Sequence, residues 1–83
     1  MSKNEVLVKR VFEARPAALF VQLAGKFQSE IKIGVGNKKT NCKSLMGVIA
    51  LGVTEGVNVV LTAEGADAEA AIKELSEFLI TNE

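Results

Sequence analysis

The chain has 83 residues, room for one domain with one core, since two independent cores of ~40 residues would each be marginal. Ten Lys and Arg balance ten Asp and Glu, so the net charge is zero, which argues against a general nucleic-acid binder with its strongly basic surface. The chain has no histidine, which excludes Ser/His triads, imidazole bases, His-ligated metals and phosphohistidine chemistry, and its one cysteine, Cys42, can form neither an intrachain disulfide nor a thiolate zinc site.

In chain order, Glu5 to Lys9 alternates weakly, with Val6 and Val8 on one side, and predicts a first strand. Arg10 to Arg15 reads as a connection. Pro16 suits the first turn of a helix, where its missing N–H has no partner to lose, and Phe20, Leu23, Ala24 and Phe27 follow at helical spacing, so a helix is predicted from about Pro16 to Gly25. Ile31, Ile33 and Val35 form one face of a strand. Gly36-Asn37 offers the positive-φ residues of a tight turn, and Lys38 to Cys42 is the return strand of a hairpin. Ser44 is a good N-cap and Gly52 a good stop for a short second helix between them. Thr54-Glu55-Gly56 is a turn, after which Val57, Val59, Leu61 and Ala63 alternate with Asn58, Val60, Thr62 and Glu64 as the clearest strand. Asp67 can cap a third helix with core stripe Ala68, Ala71, Ile72, Leu75, Phe78 and Leu79. The predicted order is βαββαβα: an α+β fold in which a four-stranded sheet carries its helices on one face.

The zero net charge conceals a polarity. Residues 1 to 43 hold nine basic and three acidic side chains, whereas residues 44 to 83 hold one basic and seven acidic. Interleaved in one globule, the halves would give either patches that steer partners or an ordinary solvated surface. The uncharged run from Ser44 to Thr54 is roughly half of the ~20 apolar residues of a membrane span. With no export signal, lipidation box or cofactor motif and with a free cysteine, the expectation is a cytoplasmic protein that needs neither metal nor cofactor.

The second predicted helix is informative because it has no charged side chain. A short surface helix should show an apolar stripe and a solvated face, so Leu45, Met46 or Ile49 is either exposed beside Gly47 as a docking surface or buried against the rest of the fold. Ser44 is fully explained as a cap. Yet position 47 holds no Glu or Gln to complete a capping box, so the end is open to an anion, and a phosphate on Ser44 would sit at the positive pole of the helix with Lys43 nearby. Glu13 and Arg15 flank the first helix start in the same way, as ordinary surface charges or as an anion or partner site. Cys42 should pack inward. Gly34, Gly36 and Asn37 make a turn rather than a phosphate loop, and Lys38-Lys39 keeps the hairpin soluble.

Two of these segments carry a family pattern. Glu13-Ala14-Arg15-Pro16-Ala17 resembles the HARPA motif of HPr, the phosphocarrier of the bacterial sugar phosphotransferase system, and Lys43-Ser44-Leu45-Met46-Gly47 resembles its regulatory serine motif. The similarity runs from Val6 to Gly65-Ala66-Asp67. It implies an open-faced β-sandwich, an antiparallel four-stranded sheet covered by three helices. The family's phosphoryl-accepting histidine falls at Glu13, where a carboxylate would have to form a reactive acyl phosphate, so histidine phosphotransfer is not expected. The loop before the motif is about two residues shorter than in HPr, and Val11 stands where glycine is usual.

Loss of the histidine with retention of the serine is similar to the catabolite-repression HPr-like (Crh) branch, where glutamine takes the histidine's place, and Arg15 to Gln22 is especially similar to it. That resemblance implies a regulatory phosphoprotein rather than an enzyme. A bifunctional HPr kinase/phosphorylase would phosphorylate Ser44 from ATP, and the product would bind a LacI-type catabolite control regulator as corepressor. Arg15, Ala18, Leu45 and Met46 would contact that partner, without direct contact to nucleic acid or membrane. Other readings keep a link to phosphotransferase-system proteins through Glu13, as a carrier or as a non-transferring decoy of HPr. The weakly alternating first strand beside a remodelled loop leaves strand exchange into a homodimer open.

Overall fold

The computed structural model describes residues 1–10 and 12–81. Its elements are β1 (Ser2–Leu7), α1 (Ala14–Ala24), β2 (Glu30–Val35), β3 (Lys38–Asn41), α2 (Leu45–Leu51), β4 (Asn58–Glu64) and α3 (Ala68–Ile80), in the βαββαβα order. The strands form one antiparallel sheet in the order β1-β4-β2-β3. Alternation decides its two faces. Val6, Ile31, Ile33, Val59, Leu61 and Ala63 point into a core that also holds Ala17, Phe20 and Ala24 of α1, Val48 and Leu51 of α2, and Ala71, Leu75 and Leu79 of α3. Their neighbours Lys3, Glu5, Glu30, Lys32 and Glu64 face solvent, so the sheet is covered by helices on one side only. This is the open-faced sandwich expected from the sequence. Phe20, with no exposed surface, is the largest fully buried side chain, and burying such a ring stabilises the fold by about 1.5–3 kcal/mol.

The first strand is displaced from its predicted span. It begins at Ser2 and ends at Leu7 because the β4 register, Ser2↔Ala63 to Leu7↔Asn58, sets its length. Ser2-Lys3-Asn4 has no apolar alternation of its own, so tertiary pairing overrides local preference there. Val8 is buried just beyond the ladder, held by Val8 N–H to Val57 O (3.0 Å) and Gly56 N–H to Val8 O (2.8 Å). Val11, which stands where the family has glycine, lies outside the described residues.

α1 also starts earlier than expected, with Glu13 as N-cap and Pro16 as the third helical residue. Pro16 still costs no hydrogen bond, because the first bond that closes the helix is Ala17 N–H to Glu13 O at 2.9 Å. In the hairpin only Gly36 has a positive φ (+59°), while Asn37 does not. With Val35 paired to Lys38, this is the II′ pattern, which needs glycine at the first loop position alone.

Two features of α3 correct the sequence reading. Phe78 is half-buried, and Ser76 takes the inward place because the stripe runs through Ile72, Leu75, Ser76 and Leu79; Ser76 Oγ accepts from Asn4 Nδ2 at 3.0 Å. Phe78 instead lies to the side, against Phe20 (5.8 Å between ring centroids) and under the Arg10 guanidinium (4.1 Å). Asp67 sits at the N-cap position, yet its side chain makes no capping bond. Its carboxylate accepts from the backbone N–H groups of Gln28 (2.9 Å) and Ser29 (3.0 Å) and from the buried Ser29 hydroxyl, and so ties the α1–β2 loop to the start of α3.

These donors, Ser29 Oγ–H foremost and then Gln28 N–H, hold the Asp67 carboxyl below the usual aspartate range. Because the folded value is lowered, the stabilisation is complete above the ordinary value of about 3.9 and is lost as pH falls through the lower, folded value. Asp67→Asn is expected to melt at a lower temperature than the parent at pH 7, with the gap closing as both are acidified below pH ~4. Thermal unfolding from pH 7 to 2 checks this, and a gap independent of pH would count against it.

Candidate functional site

The two motifs form the starts of α1 and α2, helices that pack against each other. At α1, the Phe12 and Phe20 rings meet edge to face, 5.5 Å between centroids and 77° between planes, just where the chain enters the helix. Glu13 is extended (φ −86°, ψ −169°) and exposed, and its carboxylate makes no capping bond. Arg15 is exposed on the first turn, without a hydrogen bond or ion pair among the described residues, so the two charges do not neutralise each other. Ala18 is half-buried on the next turn.

At α2, Ser44 Oγ accepts from Gly47 N–H at 3.2 Å, as expected of an N-cap. Asn41 shapes the approach: its Oδ1 accepts from Lys43 N–H (2.8 Å) and its carbonyl from Ser44 N–H (3.0 Å). Ser44 remains exposed. Lys43 is arranged differently from expectation. Its Nζ donates to the Phe27 carbonyl at 2.7 Å, so the ammonium is committed to the chain leaving α1 rather than to the serine next to it.

Of the alternatives left open for the uncharged helix, the structure excludes burial on all sides. Val48 and Leu51 are buried, whereas Leu45, Met46 and Ile49 are 38%, 76% and 47% exposed. Leu19 of α1, 47% exposed, is an apolar surface residue that the sequence reading did not single out; its only signal is that it lies off the Ala17, Phe20, Ala24 stripe. Gly47 is required by close approach, because a Cβ there would come within 2.1 Å of Thr40 Oγ1 on β3. Its absence lets α2 settle on the hairpin with the cap bond intact. Cys42 is buried and its thiol is pushed up to about 12 by that burial, so it is no nucleophile at neutral pH.

Residues 3–81, which include Glu13-Ala14-Arg15-Pro16-Ala17 and the Ser44-capped helix, match the family model described as "PTS HPr component phosphorylation site". The chain belongs to the HPr family. Its relatives include the HPr-like protein Crh of Bacillus subtilis (strain 168), 43% identical over 77 residues, which span 93% of this chain and 91% of that protein. Among solved structures, HPr-C-His from Thermoanaerobacter tengcongensis superposes with a TM-score of 0.91 at 48% identity, covering 95% of this chain and 91% of that one. A Bacillus subtilis Crh crystal structure, described as a swapping domain in a dimer, has a TM-score of 0.77 at 42% identity, covering 95% and 91% of the two chains. This HPr-family chain is thus an HPr-like relative of a catabolite-repression protein. No helix among its described residues is long and apolar enough to cross a membrane.

The Gly47 contact is directly testable. Gly47→Ala should cost about 1–3 kcal/mol, typical of an added methyl without space, and Thr40→Ala in the same chain should recover part of the loss. Urea titration of both variants measures it, and a Gly47→Ala protein as stable as the parent would contradict the close approach.

Proposed function

We propose that this HPr-family chain is a regulatory phosphoprotein of carbon catabolite repression, not an enzyme, with Ser44 as its phosphorylation site. The observation that carries the reading is an exposed serine at the start of an uncharged helix whose Leu45 and Met46 face solvent, in a chain with glutamate at the position of the family's histidine. An HPr kinase/phosphorylase would transfer the γ-phosphoryl group of ATP to Ser44 Oγ, releasing ADP and the hydroxyl proton. The phosphate oxygens can take over the Gly47 N–H, and the helix pole favours their charge by about 0.3–2 kcal/mol. With the Lys43 ammonium held by Phe27, most of the new negative charge is left for a partner to neutralise.

The partner is a LacI-type catabolite control regulator, which the phosphoprotein serves as corepressor. Cationic groups of the regulator meet the phosphate, an apolar pocket takes Leu45 and Met46, and Arg15 and the half-buried Ala18 complete the contact from α1. Glu13 is a fixed charge on this surface, unsuited to the reversible phosphoryl transfer that imidazole performs. A second reading concerns assembly. β1 is an edge strand paired with β4 alone, and the related Crh structure is described as swapped, so exchange of β1 between two copies is proposed as the route to a homodimer.

Incubation with kinase and ATP should add one phosphate to the wild type and none to Ser44→Ala, and only the phosphorylated protein should bind the regulator tightly. A Ser44→Ala protein that binds as well as kinase-treated wild type sinks the mechanism; its unfolding curve is the control, since losing the cap costs about 1 kcal/mol. Incubation with phosphoenolpyruvate and the general phosphotransferase enzyme should leave the mass unchanged. A gain of phosphate on Glu13 would restore the carrier role, and a partner affinity that falls in Glu13→Gln would favour the decoy.

A further inference from the structure

Met46 is 76% exposed and lies between Leu45 and Ile49 on a helix without a charged side chain, so the most accessible part of this apolar face is a thioether. The chain's cysteine does not compete for oxidants. Cys42 is fully buried, and a thiol pushed up to about 12 offers almost none of the thiolate that reacts with peroxides. Beneath Met46, the inward residues Val48 and Leu51 hold α2 to the core, so chemistry at its sulfur leaves the packing untouched.

We infer that Met46 is a modification site through which a peroxide closes the apolar face of α2. A sulfur lone pair attacks one peroxide oxygen, the O–O bond breaks, an S–O bond forms and water leaves; sulfur loses two electrons and the peroxide gains them. The product is a sulfoxide, a strongly polar group on the outward side of the helix, whose burial in an apolar pocket without a hydrogen-bond partner is unfavourable. Enzymatic sulfoxide reduction by a thiol reductant restores the thioether, so the change is reversible. The inference rests on the docking role proposed for this helix, but its first step can be read without any partner.

Hydrogen peroxide treatment of the phosphorylated protein, followed by peptide mass mapping, should add one oxygen at Met46 and another at the exposed Met1, leave Cys42 unmodified and leave the unfolding transition in place. The treated protein should elute earlier from a phenyl matrix and bind the LacI-type regulator at least tenfold more weakly. The Met46→Leu protein, whatever its own affinity, should show neither change although its Met1 is still oxidised. Unaltered retention of the wild type after full oxidation of Met46, or regulator affinity preserved within twofold, overturns the inference. A regulator that ignores the untreated phosphoprotein instead removes the docking reading, and the phenyl matrix then judges the oxidation step alone.

Discussion

The molecule depends on β4 as the common partner of strands from distant parts of the chain. Its register aligns Val59 with Val6 on one side and Leu61 with Ile33 on the other, and its inward side chains Val59, Leu61 and Ala63 join the core with α3 packed directly on the strand. Because β1 pairs only with this late strand, its six residues, Ser2–Leu7, acquire their structure from residues 58–63. The sheet is thus closed by contacts of long sequence separation, which carry their full loop-closure entropy before the core rewards them. The strand exchange proposed for β1 would reuse this arrangement between two copies.

Side chains at helix starts divide into those that serve the helix and those that serve something else. Ser44 caps α2 and stays exposed, so its oxygen is a structural acceptor that solvent can still reach. Asp67 occupies the same kind of position on α3 but spends its carboxylate on the α1–β2 loop. Glu13 does neither, and Arg15 beside it is likewise uncommitted among the described residues. Charges that a fold does not consume are available to partners. They sit at the start of α1, a helix packed against α2, whose exposed side chains are apolar and carry no charge of their own.

The absence of histidine gains its meaning from this geometry. An HPr scaffold with imidazole at the start of α1 has a group that takes and gives phosphoryl at neutral pH; with glutamate there, the shape of the site persists without that exchange. What persists is the uncharged helix with its serine cap, the feature on which the proposed regulatory role rests. Zero net charge also bears on the proposal, because one phosphate added to Ser44 would be a large relative change in the field around α2.

Local chemistry by itself determined the order of elements, the Ser44 and Gly52 ends of α2, the Val59, Leu61, Ala63 face of β4 and the two motifs that mark the family, because caps, glycine stops and period-two alternation act over a few residues. Only the tertiary structure decided the rest. The span of β1 is set by its register on β4, the inward place of Ser76 goes with the Asn4 side chain that meets it from β1, and the work of Asp67 and Lys43 is set by the backbone groups of Phe27, Gln28 and Ser29, which lie far from them in sequence. Whether Leu45, Met46 and Ile49 were core or surface was undecidable from an uncharged helix alone. Burial is a property of what packs against a side chain, and Val48 and Leu51 had already filled the space beneath α2.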